Sequence, residues 1–307
     1  MKIGMLLGTA SGQETKLADL IAQAQQAEQA GFASGWFANI FGVDAMTAAA
    51  LCGGATTRLE LGTAVVPTYP RHPVAMAQQA LSTQAAAGGR FLLGIGPSHQ
   101  PVIEGIFGLS YARPLAHMRE YLAVLAPLIE QGTVAFQGSE FRVAATLTVP
   151  GATPCPILIS ALGPQMLALA GRACAGTITA WTGPRTLRDH IVPHLQEAAA
   201  QAGRPAPRVV AMLPVAVTSD VAGGRARISR GAQIYGMLPS YRAMLEREGV
   251  AEPGDVAILG DADAVGEQLA QLAASGVTDF IWAPTPLGAD REAGLAATRA
   301  VVLHAQA

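Results

Sequence analysis

A chain of 307 residues, half of them apolar and 14% charged, has enough material to bury one large core or two ordinary ones. A formal net charge of -2, with no long Lys/Arg run, excludes a surface built for nucleic acid, which needs a basic stripe. The mean hydropathy of +0.32 does not mark a membrane protein either, because the longest apolar stretches, such as Val209 to Val217, have strand length and fall far short of a bilayer span.

Short apolar runs alternate with longer amphipathic ones along the chain. It opens on a strand, Lys2 to Leu7, without the basic start, apolar core and cleavage site of a secretory leader. A helix from about Thr15 carries Leu17, Leu20, Ile21 and Ala24 at helical spacing and ends at Gly31. Gly35 to Ile40 is a second strand, and Asp44 caps a helix over Ala45 to Ala55. Leu59 to Val66 is the third strand, Pro73 starts a helix reaching about Ala87, and Phe91 to Ile95 is the fourth strand. Pro101 to Tyr111 reads as an inserted loop or short helix, Leu115 to Gln131 as a strong helix, and Thr133 to Val149 as a small hairpin turning at Gln137 and Gly138. The alternation then resumes with strand Pro156 to Ser160, helix Pro164 to Ala173, strand Thr177 to Trp181 and helix Pro184 to Gln201. Arg208 to Thr218 is a strand, Asp220 to about Glu248 an interrupted helical region, and Phe280 to Ala283 the last strand before a closing helix.

Eight strands, each followed by helix, imply a parallel sheet with right-handed crossovers. Eight such units in a chain of this length fit a closed (β/α)8 TIM barrel, with insertion segments at the carboxyl ends of the strands, better than a doubly wound sheet. The Gly-x-Gly-x-x-Gly fingerprint of the latter is missing after the first strand, where Gly8 and Gly12 have the wrong spacing. No linker composition interrupts the pattern, so a single domain over 1–307 is expected. Cys52, Cys155 and Cys174 lie far apart with no Cys-x-x-Cys pair, which reads as buried thiols in a reducing, cytoplasmic compartment.

In such a barrel the active site lies at the carboxyl ends of the strands. Those ends are Gly8 to Ser11, Asn39 to Gly42, Ala64 to His72, Gly96 to Gln100, Ser160 to Gln165, Trp181 to Gly183, Thr218 to Asp220 and Pro284 to Thr285. The set holds no acid pair suited to glycoside hydrolysis and no Gly-x-Ser-x-Gly elbow. His72, His99 and His117 lack a metal-ligand spacing, so no metal is expected. A site lined by Gly, Ala, Val, Pro, Thr and Trp suits a flat organic cofactor that carries the reactivity itself.

The runs Leu61 to Pro67 with Arg71-His72-Pro73, Gly89 to Gly96, and Pro156 to Pro164 resemble, in order and spacing, the luciferase-like monooxygenase superfamily. The segments Ser34 to Asp44 and Gly96-Pro97-Ser98-His99 are similar to its branch that uses the deazaflavin coenzyme F420. The resemblance covers nearly the whole chain. It implies a bulge with a non-proline cis peptide at Ala64-Val65 beneath the tricyclic ring, and a phosphate-binding loop at Ser160, Ala161, Leu162 and Gly163. The residues agree on the second point, since Gly163 admits close backbone approach and Pro164 opens a helix whose free N–H groups can receive a phosphate. Asn39 and Ser98, at the ends of the second and fourth strands, complete the expected cofactor contacts.

His99 stands where several F420-dependent relatives carry a proton-transferring glutamate, and imidazole can perform that role. His72 belongs to a helix start and is expected to be structural. Tyr111 and Trp181 are candidate walls of a substrate pocket. Two departures limit the carry-over. Asn39-Ile40 replaces the Asp-His pair of many relatives, and Lys2 and Lys16 are the only lysines, which weakens a sugar-phosphate substrate. The expected function is therefore F420-dependent hydride exchange between deazaflavin C5 and a small, largely apolar alkene, imine or alcohol. An FMN-dependent monooxygenase and a non-catalytic cofactor-binding barrel remain alternatives. A homodimer follows from the resemblance, dimers being common in the superfamily. Arg71, Arg90, Arg113, Arg172 and Arg185 are candidate partners for the coenzyme's acidic tail.

Overall fold

A computed structural model describes residues 1–8, 15–288 and 290–305. Its strands are β1 (Lys2–Leu6), β2 (Ser34–Phe37), β3 (Glu60–Thr63), β4 (Val66–Pro67), β5 (Phe91–Gly96), β6 (Thr133–Gln137), β7 (Arg142–Thr146), β8 (Ile157–Ser160), β9 (Gly176–Ala180), β10 (Arg208–Val217), β11 (Ile258–Gly260) and β12 (Asp279–Pro284). Parallel pairing runs β10-β12-β1-β2-β3-β5-β8-β9, and β9 pairs back onto β10. That return contact closes an eight-stranded barrel surrounded by helices.

Alternation along the strands sorts side chains between lumen and outer layer. Leu6, Trp36, Leu92, Leu158, Ile178, Val210 and Ile281, one from each of seven strands, form the lumen cluster. The eighth, β3, makes room instead: a Cβ on Gly62 would lie 2.3 Å from the Trp36 ring. The indole N–H, fully buried, donates to Ser34 Oγ at 2.8 Å, as a buried Trp requires. The intervening residues, among them Ile3, Leu61, Leu93, Ile159, Val209 and Phe280, pack outward against the helices. Helix Leu17–Ala30 contributes Leu20, Ala24 and Ala27 to that layer and stops at Gly31, whose φ of 94° lies in the left-handed region.

The amino end of the barrel is closed by charge. Arg208 donates to both Asp279 carboxylate oxygens and to Glu60, and Lys2 reaches Glu60 at 3.4 Å. The carboxyl end stays open and carries the helices inserted after β10, whereas the hairpin, which follows a helix and precedes β8, enters from the amino-end side. Hairpin β6–β7 folds onto helix Pro114–Gln131, held by the Glu120 carboxylate, which accepts from the N–H groups of Ser139, Glu140 and Phe141 and from Ser139 Oγ.

Two features differ from the expected pattern. The helical region after β10 is divided into Val221–Gly231, Gln233–Met237 and Pro239–Glu248. Beyond it lie β11 and helix Ala262–Ala274, both overlooked in the sequence. β11 has three residues and pairs only with the carboxyl end of β10, Val215 to Val217, so it carries too little pattern to stand out. The helix is better marked, with Asp261 accepting from Ala264 N at its start and Val265, Leu269 and Leu272 buried on one face. Cys52, Cys155 and Cys174 are buried as expected, and burial pushes each thiol up to about 12.

Candidate active site

The floor of the open end is made by an interruption of the third barrel strand. β3 stops at Thr63 and pairing resumes at Val66. Thr63 Oγ1 takes over part of the ladder, donating to Gly94 O at 2.7 Å and accepting from Gly94 N at 2.9 Å. Gly94 is required there, since a Cβ would lie 1.9 Å from Thr63 O. The Ala64-Val65 peptide in this bulge is cis. Ala64 and Val65 pack on the lumen cluster together with Ala38, Met212 and Ala283. The result is a shallow floor of short apolar side chains, the surface a flat ring system needs.

The wall beside that floor is aromatic. His99 follows β5, and its ring lies edge-on to Tyr235 at 5.9 Å and to Tyr241 at 5.7 Å. Trp181, following β9, meets Tyr235 at 5.6 Å, and the two tyrosines meet each other at 5.0 Å. Ser98 and Trp181 both take left-handed backbone conformations, φ 61° and 56°, which non-glycine residues adopt rarely and mostly where surrounding structure enforces them. Tyr111 joins the wall by donating its hydroxyl to Ser98 O at 3.0 Å. Tyr111 also packs on Tyr69, which stacks on His117 at 3.9 Å. Burial lowers the His99 pKa below the ordinary imidazole value and raises those of Tyr111, to about 12, Tyr235 and Tyr241. At neutral pH the wall is therefore uncharged.

Thus His99, Ser98, Tyr111 and Trp181, expected from the sequence, come together around two residues that were not, Tyr235 and Tyr241. A signal for them existed. The chain has five tyrosines, and all five lie in these two adjoining ring clusters. A phenol combines an apolar body with a polar tip, so its concentration at one place marks a pocket that is both greasy and hydrogen-bonding.

The expected phosphate loop, Ser160 to Gly163, leads from β8 into helix Pro164–Ala173. Pro164 occupies the first helical position, and Gly163 O accepts from Leu167 N at 2.9 Å. Ser160 Oγ packs where a Cβ on Gly96 would sit, 2.1 Å away. The loop is anchored from its outer side by His190, whose Nε2–H donates to Leu162 O at 2.8 Å. His190 lies in a π-helical turn, Leu187–Ile191, and His194 Nδ1–H donates to its carbonyl in turn. Burial holds the His190 pKa below the ordinary value despite the Leu162 bond.

Asn39 Oδ1 accepts from Ala45 N at 3.0 Å, so its side chain helps start the helix Ala45–Ala55. Beside it Asp44 caps that helix through Thr47 N, and pairs with Arg71 and Gln79. This ties the exit of β2 to the exit of β4. Of the arginines considered for an acidic tail, Arg71 is thereby engaged. Arg90 donates to the carbonyls of Gly53, Thr56 and Leu59 at the amino end of the barrel, the wrong end for a ligand at the mouth. Arg113 pairs with Glu140. His72 caps its own helix, Nδ1 accepting from Val74 N at 3.3 Å, as expected of a structural residue. Asp220 likewise caps the helix Val221–Gly231 through Gly223 N. The stretch Thr9 to Ser11 at the first strand end lies outside the described residues.

Residues 1–279 match the family model of luciferase-like monooxygenases. A candidate coenzyme F420-dependent oxidoreductase of Mycobacterium tuberculosis is 31% identical, the match covering 92% of this chain and 94% of that protein. Among solved structures, the coenzyme F420-dependent tetrahydromethanopterin reductase of Methanopyrus kandleri superposes with a TM-score of 0.81 at 23% identity, over 99% of this chain and 98% of that one. An F420-dependent secondary alcohol dehydrogenase in complex with an F420–acetone adduct also superposes with a TM-score of 0.81, at 20% identity over 100% and 99% of the two chains. At these identities the superpositions speak for the barrel alone.

Proposed function

The chain belongs to the luciferase-like monooxygenase family, and from that membership we propose that it is a coenzyme F420-dependent oxidoreductase, one barrel domain over 1–307, acting on a small, largely apolar alkene, imine or alcohol. The observation that carries this is the meeting of a short-chained apolar floor with a wall of rings around His99. The donor set fits the coenzyme. Ala64 and Val65 would support a flat ring, Asn39 and Ser98 would contact it, and the loop Ser160 to Gly163 would offer backbone N–H groups at a helix start to a phosphate. When bound, the deazaflavin supplies two-electron hydride chemistry at C5 without readily activating oxygen.

The chain's own residues have three tasks. Trp181, Tyr111, Tyr235 and Tyr241 exclude water and hold an uncharged substrate against the floor. His190 keeps the phosphate loop in place through Leu162 O. His99 moves the proton. Its desolvated imidazole is neutral at pH 7, so it is suited to accept the proton of an alcohol hydroxyl as hydride leaves the carbon. This favours an alcohol among the three substrate types, oxidised to a carbonyl. In reduction His99 must first be protonated and then donate.

Paired titrations of cofactor-free protein with oxidised F420 and with FMN, followed by an alcohol, alkene and imine panel, test this function. Tight F420 binding with weak FMN binding and F420-coupled turnover is expected. Preference for FMN with oxygen-dependent turnover would replace it by the monooxygenase alternative, which the family's own description keeps open. A cytoplasmic homodimer accompanies the proposal, and light scattering of the purified protein at micromolar concentration tests the dimer.

A further inference from the structure

We propose that the furrow between helices Pro114–Gln131 and Pro164–Ala173 is a binding site for the oligoglutamyl tail of the coenzyme, with Arg119 and Arg172 as its cations. This rests on the F420 reading above and adds a site to it. The furrow has a volume of about 340 Å³ and is lined by Leu115, Arg119, Pro164, Gln165, Ala168 and Arg172.

Its position follows from helix periodicity. Pro164, Gln165, Ala168 and Arg172 form one stripe of their helix, and Leu115 and Arg119 form the facing stripe of the other. The stripe begins at the residues directly after the phosphate loop and runs away from the mouth. From Gln165 to Arg172 it descends roughly 10 Å at the α-helical rise, a distance that a short γ-glutamyl chain leaving the phosphate can cover.

Its chemistry fits an acidic chain with a methylene stem. Leu115, Pro164 and Ala168 give an apolar bed, and among the described residues no carboxylate lines it. Arg119 and Arg172 are exposed, and among the described residues neither meets an Asp or Glu within ion-pair distance. Two other arginines near the mouth are engaged, Arg71 by Asp44 and Arg113 by Glu140. In a chain of net charge -2, two cations facing one furrow beside an anion-binding loop form a local field that a polyanion reads. FMN ends at its phosphate and does not reach these residues, so the furrow distinguishes the two cofactors.

The test is a fluorescence titration with four ligands: the deazaflavin lacking phosphate and tail, the coenzyme without glutamate, and the coenzyme with a short and with a long oligoglutamate tail. Wild type is compared with Arg119→Gln/Arg172→Gln and with Arg299→Gln, which removes a positive charge from the helix Arg291–His304. We expect the tail to tighten wild-type binding by roughly tenfold at low salt, two exposed ion pairs' worth. The gain should vanish in the double variant and at high salt, and persist in Arg299→Gln. Equal affinity for tailed and untailed coenzyme in wild type, or a gain retained in the double variant, overturns the furrow while leaving F420 dependence intact. Failure of all four ligands to bind wild type overturns both.

Discussion

His99 is half-buried and His117 buried, both among rings, yet they face different demands. His99 follows a barrel strand with the rings of Tyr235 and Tyr241 edge-on to it, and desolvation lowers its pKa. As a base it must be neutral, and the oxidation rate should hold constant through neutral pH and fall on the acid side, with a midpoint below the ordinary imidazole value. Reduction, needing the protonated form, should rise over the same interval. His99→Ala should cost about 10²- to 10⁴-fold in turnover and leave coenzyme affinity within about threefold, since the residue stands in the wall and not on the phosphate loop. Parallel losses in turnover and affinity would instead mark it as a cofactor contact. His117 is 7% exposed. It stacks on Tyr69 and lies 3.0 Å from Thr68 Oγ1. Burial pulls its pKa down to about 4 against the opposing charge of Glu120. The unfolded chain therefore binds the extra proton between about pH 6.5 and 4, so stability is full above 6.5 and declines as pH falls toward 4, by up to about 3 kcal/mol. Melting curves at pH 7 and pH 5 should show a smaller acid loss for His117→Gln than for wild type. An equal loss would place the acid lability elsewhere.

Among the elements, hairpin β6–β7 shows how a surface excursion is held by one side chain. Its outer face is exposed, and four donors at its turn converge on the Glu120 carboxylate. Those bonds hold that carboxylate's pKa down at about 2 despite desolvation. Glu120→Gln removes one of the two acceptor oxygens, and hydrogen exchange at residues 139–141 should accelerate by roughly tenfold while the amides of β5 keep their protection. Unchanged exchange at the turn would show that strand pairing alone holds it. The hairpin itself was readable from the sequence because its turn chemistry is local, and so were the eight barrel strands, each an apolar run bounded by Gly, Pro or a helix cap. β11 was not, because three residues cannot display a period. The cis peptide at Ala64-Val65 came from the resemblance and not from residue chemistry, since nothing in Ala-Val favours cis. Tyr235 and Tyr241 were missed because they reach the mouth from helices inserted after β10, where no strand end announces them. The anchor at His190 depends on a contact 28 positions distant, which no local pattern encodes.

At the scale of the whole molecule the barrel separates stability from chemistry along its axis. The amino end is closed by Arg208, Asp279, Glu60 and Lys2, whereas the carboxyl end is lined by short apolar side chains and neutral rings. The plug joins strands that are far apart in sequence, β3, β10 and β12, across the closure of the sheet. The Asp279 side chain is 4% exposed and carries the Arg208 guanidinium on both its oxygens. Asp279→Asn leaves that guanidinium half-buried with one uncharged partner in place of a carboxylate. Removing one member of a buried pair typically costs about 3–5 kcal/mol. The partial exposure of Arg208 and its second contact at Glu60 place the expected loss nearer 3. Denaturant unfolding should record that loss, while the coenzyme titration, which reads the opposite end, should return the wild-type Kd for the folded fraction. A variant that weakens coenzyme binding without losing stability would show instead that the two ends of the barrel are coupled through the strands between them.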